Sequence, residues 1–467
     1  MNASFVRGSD RLAASAHAYF VRLDRAVAGR RLVVWGAGRA GALAVELLAA
    51  SGRTPALVVD RDARRHGQHV GGVQVCALDN LIYKDAGGGD YVLLASMHAP
   101  EMAAWLAAKG WQRDADFATF PLASIYRPEF GFALDELPVA PPPAEREASA
   151  GRNASAEREP FAATIFASEA GNFYFRELRD FLVCGLRRFG WTVHAANEEA
   201  RHVDGVPIVV GPHEFFSVGR GVEWLSPENL RHAVLVTTEQ PQSLWFQAFE
   251  RALALAGAVV DLSPAACEAL ASRGVPATWL PLGWYSDCGV FDRGLRDDHD
   301  DVWEGRDIDV LFIGSHSPRR ARWLDELRRA LPNLSWHVHL PSDASPLAGR
   351  DVVDTATSVA LARRSKVLLN IHRDDTPYFE WQRIVWRGLW QRTLVVTEPS
   401  GTVPGLAAGR HYVEVPVAQM ARALRSILAA SHESDDVRRA GYRAGTAVTF
   451  ARTEAVLAAA VRQVCGT

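Results

Sequence analysis

Short runs rich in apolar residues recur along the chain, and most are followed by a helical segment. RLVVW (31–35), PALVVD (55–60) and YVLLAS (91–96) come first. FAATIFAS (161–168), WTVHAA (191–196), PIVVG (207–211), HAVLVTTE (232–239) and GAVVDLS (257–263) form a second group. IDVLFIGS (308–315), LSWHVHL (334–340), KVLLNIH (366–372) and TLVVTEP (393–399) form a third. A strand that is apolar at every position is covered on both faces, which is the mark of a parallel sheet between helical layers. Strand and helix in alternation predict an α/β chain built from doubly wound sheets.

One stretch breaks the pattern. PVAPPPAEREASAGRNASAEREP (138–160) has no aromatic residue and almost no large aliphatic one, so it cannot bury a core and reads as a linker. The chain of 467 residues then divides into 1–137, the linker 138–160, and two further lobes at 161–300 and 301–467. Basic and acidic residues nearly balance, 51 against 54, and lysine occurs only at Lys84, Lys109 and Lys366. That balance excludes a polycation built to grip nucleic acid. Five cysteines, Cys76, Cys184, Cys267, Cys288 and Cys465, are scattered singly, which suits a reducing cytoplasm better than a disulfide framework. No apolar run reaches transmembrane length, which leaves room for peripheral membrane association but not for a span.

The first segment carries WGAGRAG, with Gly36, Gly38 and Gly41 between a strand and a helix. Asp60 ends the next strand, nineteen positions after Gly41. In this arrangement the first glycine permits a tight turn, the second lets a phosphate approach the backbone, and the third lets helix pack on strand. The terminal acid would accept hydrogen bonds from ribose hydroxyls. Three or four strands before the linker are too few for a six-stranded dinucleotide fold. WGAGRAG…VVDRDARRHGQHVGGVQV resembles the small Rossmann-like domains attached to sugar-modifying acetyltransferases and C-methyltransferases, which implies binding of a nucleotide or sugar nucleotide without redox chemistry.

The third segment carries the densest chemistry. FIGSHSPRR places Gly314 and Ser315 at the end of a strand and Arg319 and Arg320 at the start of a helix. Arginine at a helix start is unfavourable unless an anion is near, so this motif points to a diphosphate. Asn370 and His372 end a further strand, where open α/β sheets bind ligands. Glu380 and Arg383 follow at i and i+3 of a predicted helix spanning 378–391, a carboxylate for ribose hydroxyls and a guanidinium for phosphate. In the second segment, SEAGN (168–172) lies between strand and helix, His213 follows a strand, and Glu239 and Gln240 follow another. His213 and Glu239 are candidate general bases. Trp381, Trp386 and Trp390 fall at helical spacing and read as core. The DxD strings Asp60–Asp62 and Asp307–Asp309 do not stand where a metal site would need them, and the reading assigns no metal.

Strand-LN-x-H, then FE-x-x-R-I, then a helix running into LVVTE, together with the GS-x-x-x-RR start and the acid–glutamine pair in VTTEQP, is similar to the GT-B glycosyltransferases of the group-1 and spore-maturation-type families. The likeness spans about 163–460. It implies two Rossmann-like lobes with a donor nucleotide against the second, and hexosyl transfer from a nucleotide sugar to a glycan, lipid or protein acceptor. It implies no other cofactor, and a role in making surface polysaccharide or glycoconjugates. Many members carry a second glutamate where Arg387 stands here and a glycine where Arg392 stands. Lobe closure over the donor belongs to the same expectation. Two other readings remain open: an NAD(P)-dependent oxidoreductase using the N-terminal glycines, and a non-catalytic sugar-nucleotide-binding protein.

Overall fold

The computed structural model describes residues 11–82, 89–96, 98–121, 128–138, 161–217, 220–285, 303–340 and 353–466. The predicted linker from 139 to 160, and Cys288, lie outside them. Three largely parallel sheets follow one another along the chain.

The first contains β1 (Arg31–Trp35), β2 (Leu57–Val59), β3 (His69–Val70), β4 (Val73–Cys76), β5 (Asp90–Leu94) and β6 (Phe117–Thr119), in the order β3-β4-β2-β1-β5-β6. Only the β3–β4 pairing is antiparallel. Six strands correct the expectation of three or four. The missed ones are short or half-exposed: β3 and β6 span two and three residues, and in β4 only Val73 and Val75 are buried. Helices Arg11–Val27 and Pro128–Asp135, also not anticipated, pack against each other. Ala133, Leu134 and Leu137 continue into the core of the second sheet.

The second sheet contains β7 (Ala162–Phe166), β8 (Thr192–Ala196), β9 (Val206–Val210), β10 (Val234–Thr237), β11 (Ala258–Asp261) and β12 (Thr278–Trp279), ordered β12-β11-β10-β9-β7-β8. The third contains β13 (Ile308–Ile313), β14 (Trp336–His339), β15 (Ser365–Asn370), β16 (Leu394–Thr397) and β17 (Val413–Glu414), ordered β14-β13-β15-β16-β17. Strand direction of winding reverses between β7 and β9 in one lobe and between β13 and β15 in the other. Crevices for ligands open at the carboxyl ends of such strand pairs. Side-chain caps set the helices that leave these ends: Asn172, Ser243, Ser263 and Ser317 each accept from a backbone N–H of the first turn, and each such cap contributes about 1 kcal/mol. The last helix, Phe450–Cys465, returns to pack on the second sheet. Two Rossmann-like lobes tied by a returning helix form the GT-B arrangement implied by the sequence.

The lobes share one apolar core. Phe175 and Phe181 of the helix Phe173–Arg188 meet Trp386, Trp390, Tyr285 and Phe450 in a single buried cluster. Phe181 lies 4.8 Å from the Trp386 ring and 5.8 Å from Trp390. Trp381, Trp386 and Trp390 are core residues, as their spacing suggested. They do not lie on one continuous α-helix, however. The turn from Gln382 to Trp386 is widened, closed by Arg387 N–H to the Gln382 carbonyl at 3.0 Å, and the chain tightens again over Leu389–Gln391. Gly388 makes the break, because a Cβ there would stand 2.5 Å from the Ile384 carbonyl oxygen.

Arg387, at the position of the missing second glutamate, faces the other lobe. Its Nη2 donates to both carboxylate oxygens of buried Glu177, at 2.8 and 2.9 Å. Gln382 Nε2 adds a bond to Glu177 at 2.8 Å, and the Thr355 hydroxyl adds another. A shared aromatic core and this buried pair join the lobes. Arg392, at the position of the missing glycine, has φ 53° and ψ 36°, the left-handed conformation that glycine adopts without cost. Its guanidinium lies 4.4 Å over the Tyr442 ring. Arg392→Gly should therefore be more stable than Arg392→Ala by about 1 kcal/mol in chemical denaturation, although both lose the stacking; an alanine variant equal to the glycine variant would remove the strain argument.

Candidate functional site

At the N-terminal switch point the three glycines separate by what surrounds them. Gly36 has φ 124° and a Cβ on it would stand 2.5 Å from the Ala95 carbonyl oxygen. On Gly41 it would stand 1.7 Å from the Gly36 carbonyl oxygen. Both are required by packing. Gly38 has φ −85°, and a Cβ there meets nothing within 4 Å. Gly41→Ala should unfold this domain, whereas Gly38→Ala should leave its stability within about 0.5 kcal/mol, measured by thermal denaturation. Asp60 is already engaged: Oδ2 accepts from Ala37 N–H at 2.7 Å and Oδ1 from Asp62 N–H at 2.9 Å. Arg65 Nη1 donates to the Ala37 carbonyl at 2.5 Å. The carboxylate thus closes the glycine loop from within, a role the sequence spacing did not show.

In the lobe built on the second sheet, His213 and Glu239, read separately from the sequence, come together. His213 sits on the short helix Pro212–Ser217 after β9, and its Nε2 lies 3.1 Å from Glu239 Oε1. Glu239 Oε2 accepts from the Ser243 hydroxyl at 2.9 Å, so the carboxylate is held on both oxygens. Phe175 and Trp245 flank the imidazole at 5.3 and 5.5 Å. His213 Nδ1 is buried and has no partner. A carboxylate on one ring nitrogen and a bare second nitrogen is the arrangement of an oriented base. In SEAGN, Ser168 Oγ donates to Glu198 at 3.0 Å and Asn172 caps the next helix. Glu214 accepts from Asn172 N–H at 2.5 Å, and burial raises its carboxyl pKa.

In the lobe built on the third sheet, all eight predicted donor-side residues gather at the β13–β15 switch point, but they are engaged differently. Arg319 is closed on Glu398 by a fork of 2.8 and 2.5 Å and on Asp375 at 2.6 Å. Glu398, overlooked in the sequence, also accepts from His372 N–H at 2.7 Å. Its position, one residue past β16, was the available signal. Arg320 is buried: Nε donates to the Ile371 carbonyl at 2.8 Å, Nη1 to the Ser315 carbonyl and hydroxyl at 3.1 Å, and Nη2 to Glu380 at 3.2 Å. Arg383 donates to Asn370 Oδ1 at 2.9 Å and pairs with Glu380 Oε2 at 2.6 Å. Gly314 makes room for it, since a Cβ would lie 2.9 Å from Arg383 Nη2.

Two guanidiniums thus flank one carboxylate in a desolvated setting. Burial and the neighbouring Arg383 charge pull the Arg320 pKa down to about 9, and burial lowers that of Arg383 as well. Burial pushes Glu380 up, but Arg383 and Arg320 outweigh it and hold it below its ordinary value. The cluster around Glu380 is short of negative charge, and an anion bound there would relieve it. The carboxyl edges of the two lobes meet here: the Tyr378 hydroxyl donates to the Thr238 carbonyl at 2.9 Å, one residue before Glu239. Of the DxD aspartates, Asp307 pairs with Arg364 and Asp309 with Lys366. Among the described residues, no helix is long and apolar enough to cross a membrane.

No family model matches this chain, and no curated protein matches it. Several solved structures do. The chain is similar to a glycosyltransferase from Rickettsia africae, at 10% identity over 66% of this chain and 99% of that one, with a TM-score of 0.43. It is similar to Anabaena HepE in complex with UDP and glucose, at 10% identity over 64% of this chain and 99% of that one, with a TM-score of 0.45. It is also similar to a sucrose-phosphate synthase from Thermosynechococcus elongatus, at 14% identity over 66% of this chain and 99% of that one, with a TM-score of 0.42.

Proposed function

We propose that this chain is a glycosyltransferase that moves a sugar, of hexose type, from a nucleotide-sugar donor to an acceptor hydroxyl. The observation that carries the reading is the confrontation of two unlike sites across the Tyr378–Thr238 contact: an under-neutralised guanidinium cluster on one lobe and a carboxylate-oriented histidine on the other. Donor diphosphate would lie at Arg320 and Arg383, with Glu380 turned to the ribose hydroxyls. The acceptor oxygen attacks the anomeric carbon and its proton passes to His213 Nδ1. The bond from that carbon to the phosphate oxygen breaks, and its electron pair leaves on the diphosphate beside the two guanidiniums. Glu239 holds the imidazole in the tautomer that leaves Nδ1 bare. The acceptor belongs to the glycan, lipid or protein glycoconjugate class, and the reaction as drawn uses no metal.

The purified protein should turn over at least one nucleotide sugar, by transfer or by slow hydrolysis. His213→Ala should lower transfer by about 10²–10⁴-fold while nucleotide binding persists. A thermal-shift screen across nucleotides and nucleotide sugars in which none raises the melting temperature would end the proposal.

A further inference from the structure

Buried polar atoms without a partner are rare and unfavourable, so every one calls for an explanation. Four of them collect where the lobes meet: His213 Nδ1, Asp261 Oδ2, His372 Nδ1 and Trp381 Nε1. The set mixes lone pairs with an N–H. Phosphate oxygens only accept, so a diphosphate alone leaves the imidazole lone pairs unanswered. A hydroxyl both donates and accepts, and it matches every member.

His372 is the most constrained of the four. It is 4% exposed and ends the segment after β15, at the switch point of the third sheet. Its Nε2 lies 2.9 Å from the Pro399 carbonyl oxygen, which can only accept, so Nε2 carries the proton. With Nε2 donating, Nδ1 is the ring atom left to accept, and it is buried without a partner. The nearby guanidiniums are committed elsewhere, Arg319 to Glu398, Asp375 and the His372 carbonyl, Arg320 and Arg383 to Glu380 and their other acceptors. Glu380, held by Arg320 and Arg383, is the group suited to the ribose diol.

We infer that His372 Nδ1 accepts a hydrogen bond from a hydroxyl of the transferred sugar, making it a residue that reads the sugar and not the nucleotide. The inference rests on the transferase reading of the same site. Glutamine and asparagine separate the two ring nitrogens: His372→Gln keeps an amide donor near Nε2 for Pro399 and has no lone pair at the δ position, while His372→Asn returns a polar atom there. Titration calorimetry would compare ADP-, UDP-, GDP- and dTDP-linked glucose, galactose and mannose with the bare diphosphates. The wild type should favour one sugar nucleotide over its own diphosphate by about tenfold. His372→Gln should abolish that preference with diphosphate affinity and melting temperature maintained, and His372→Asn should recover part of it. Equal weakening of diphosphate and sugar nucleotide in His372→Gln would place the ring on the nucleotide and overturn the inference, as would an intact preference. A wild-type protein that binds none of these probes would overturn the transferase reading and this inference with it.

Discussion

Replacing Glu177 with alanine should cost about 3–5 kcal/mol of stability, the largest loss expected from any single exchange at the seam between the lobes. The carboxylate is 5% exposed and accepts two bonds from Arg387, itself 8% exposed, beside those from Gln382 and Thr355. Removing it leaves the buried Arg387 guanidinium without a counter-charge, held only by its Nε bond to Ser358 Oγ at 3.0 Å among the side-chain bonds described. The double exchange Glu177→Ala with Arg387→Ala should be less damaging than the sum of the two single ones, because neither charge is then left alone. Denaturant unfolding of the four proteins measures this. A Glu177→Ala variant within 1 kcal/mol of wild type would mean that water reaches the pair and the seam is looser than described.

The second large effect belongs to Arg383. Arg383→Ala should reduce transfer by about 10²–10³-fold, since it removes a positive charge from the place where the leaving diphosphate gains negative charge. Arg383→Lys should rescue little, because one side chain must serve Glu380 and Asn370 together, which a planar fork does and an ammonium does not. Arg319→Ala provides the contrast. Its fork is closed on buried Glu398, so its loss should appear in the melting temperature first. Turnover of Arg383→Ala within threefold of wild type would remove this guanidinium from the site.

The strands that position the site were legible because they are apolar on both faces, and β9, β10, β13, β15 and β16 stand where continuous runs predicted them. The short edge strands β3, β6 and β17 carry no such pattern, and they form because a neighbouring strand supplies their partners. Residue types at strand ends were legible too: His213 follows β9 and Glu239 follows β10, as read from the sequence. Pairing was not. Nothing in RR distinguishes Arg319, turned to Glu398, from Arg320, turned to Glu380, because the distinction depends on which strand end each meets in space. The same holds for Asp60, whose spacing suits a ribose but whose oxygens are engaged by backbone amides. Arg387 and Arg392 looked like losses relative to related sequences. One became a cross-lobe tether and the other a stacked, left-handed residue.

The common aromatic core has a consequence for how such a chain can be recombined. Each half lends the other part of its interior, so neither is a module in the sense of a piece that carries its own inside. Grafting a foreign C-terminal half onto this first half would require moving Trp386, Trp390 and Arg387 as a set matched to Phe181 and Glu177. Specificity is better altered by single exchanges around the switch points than by swapping halves.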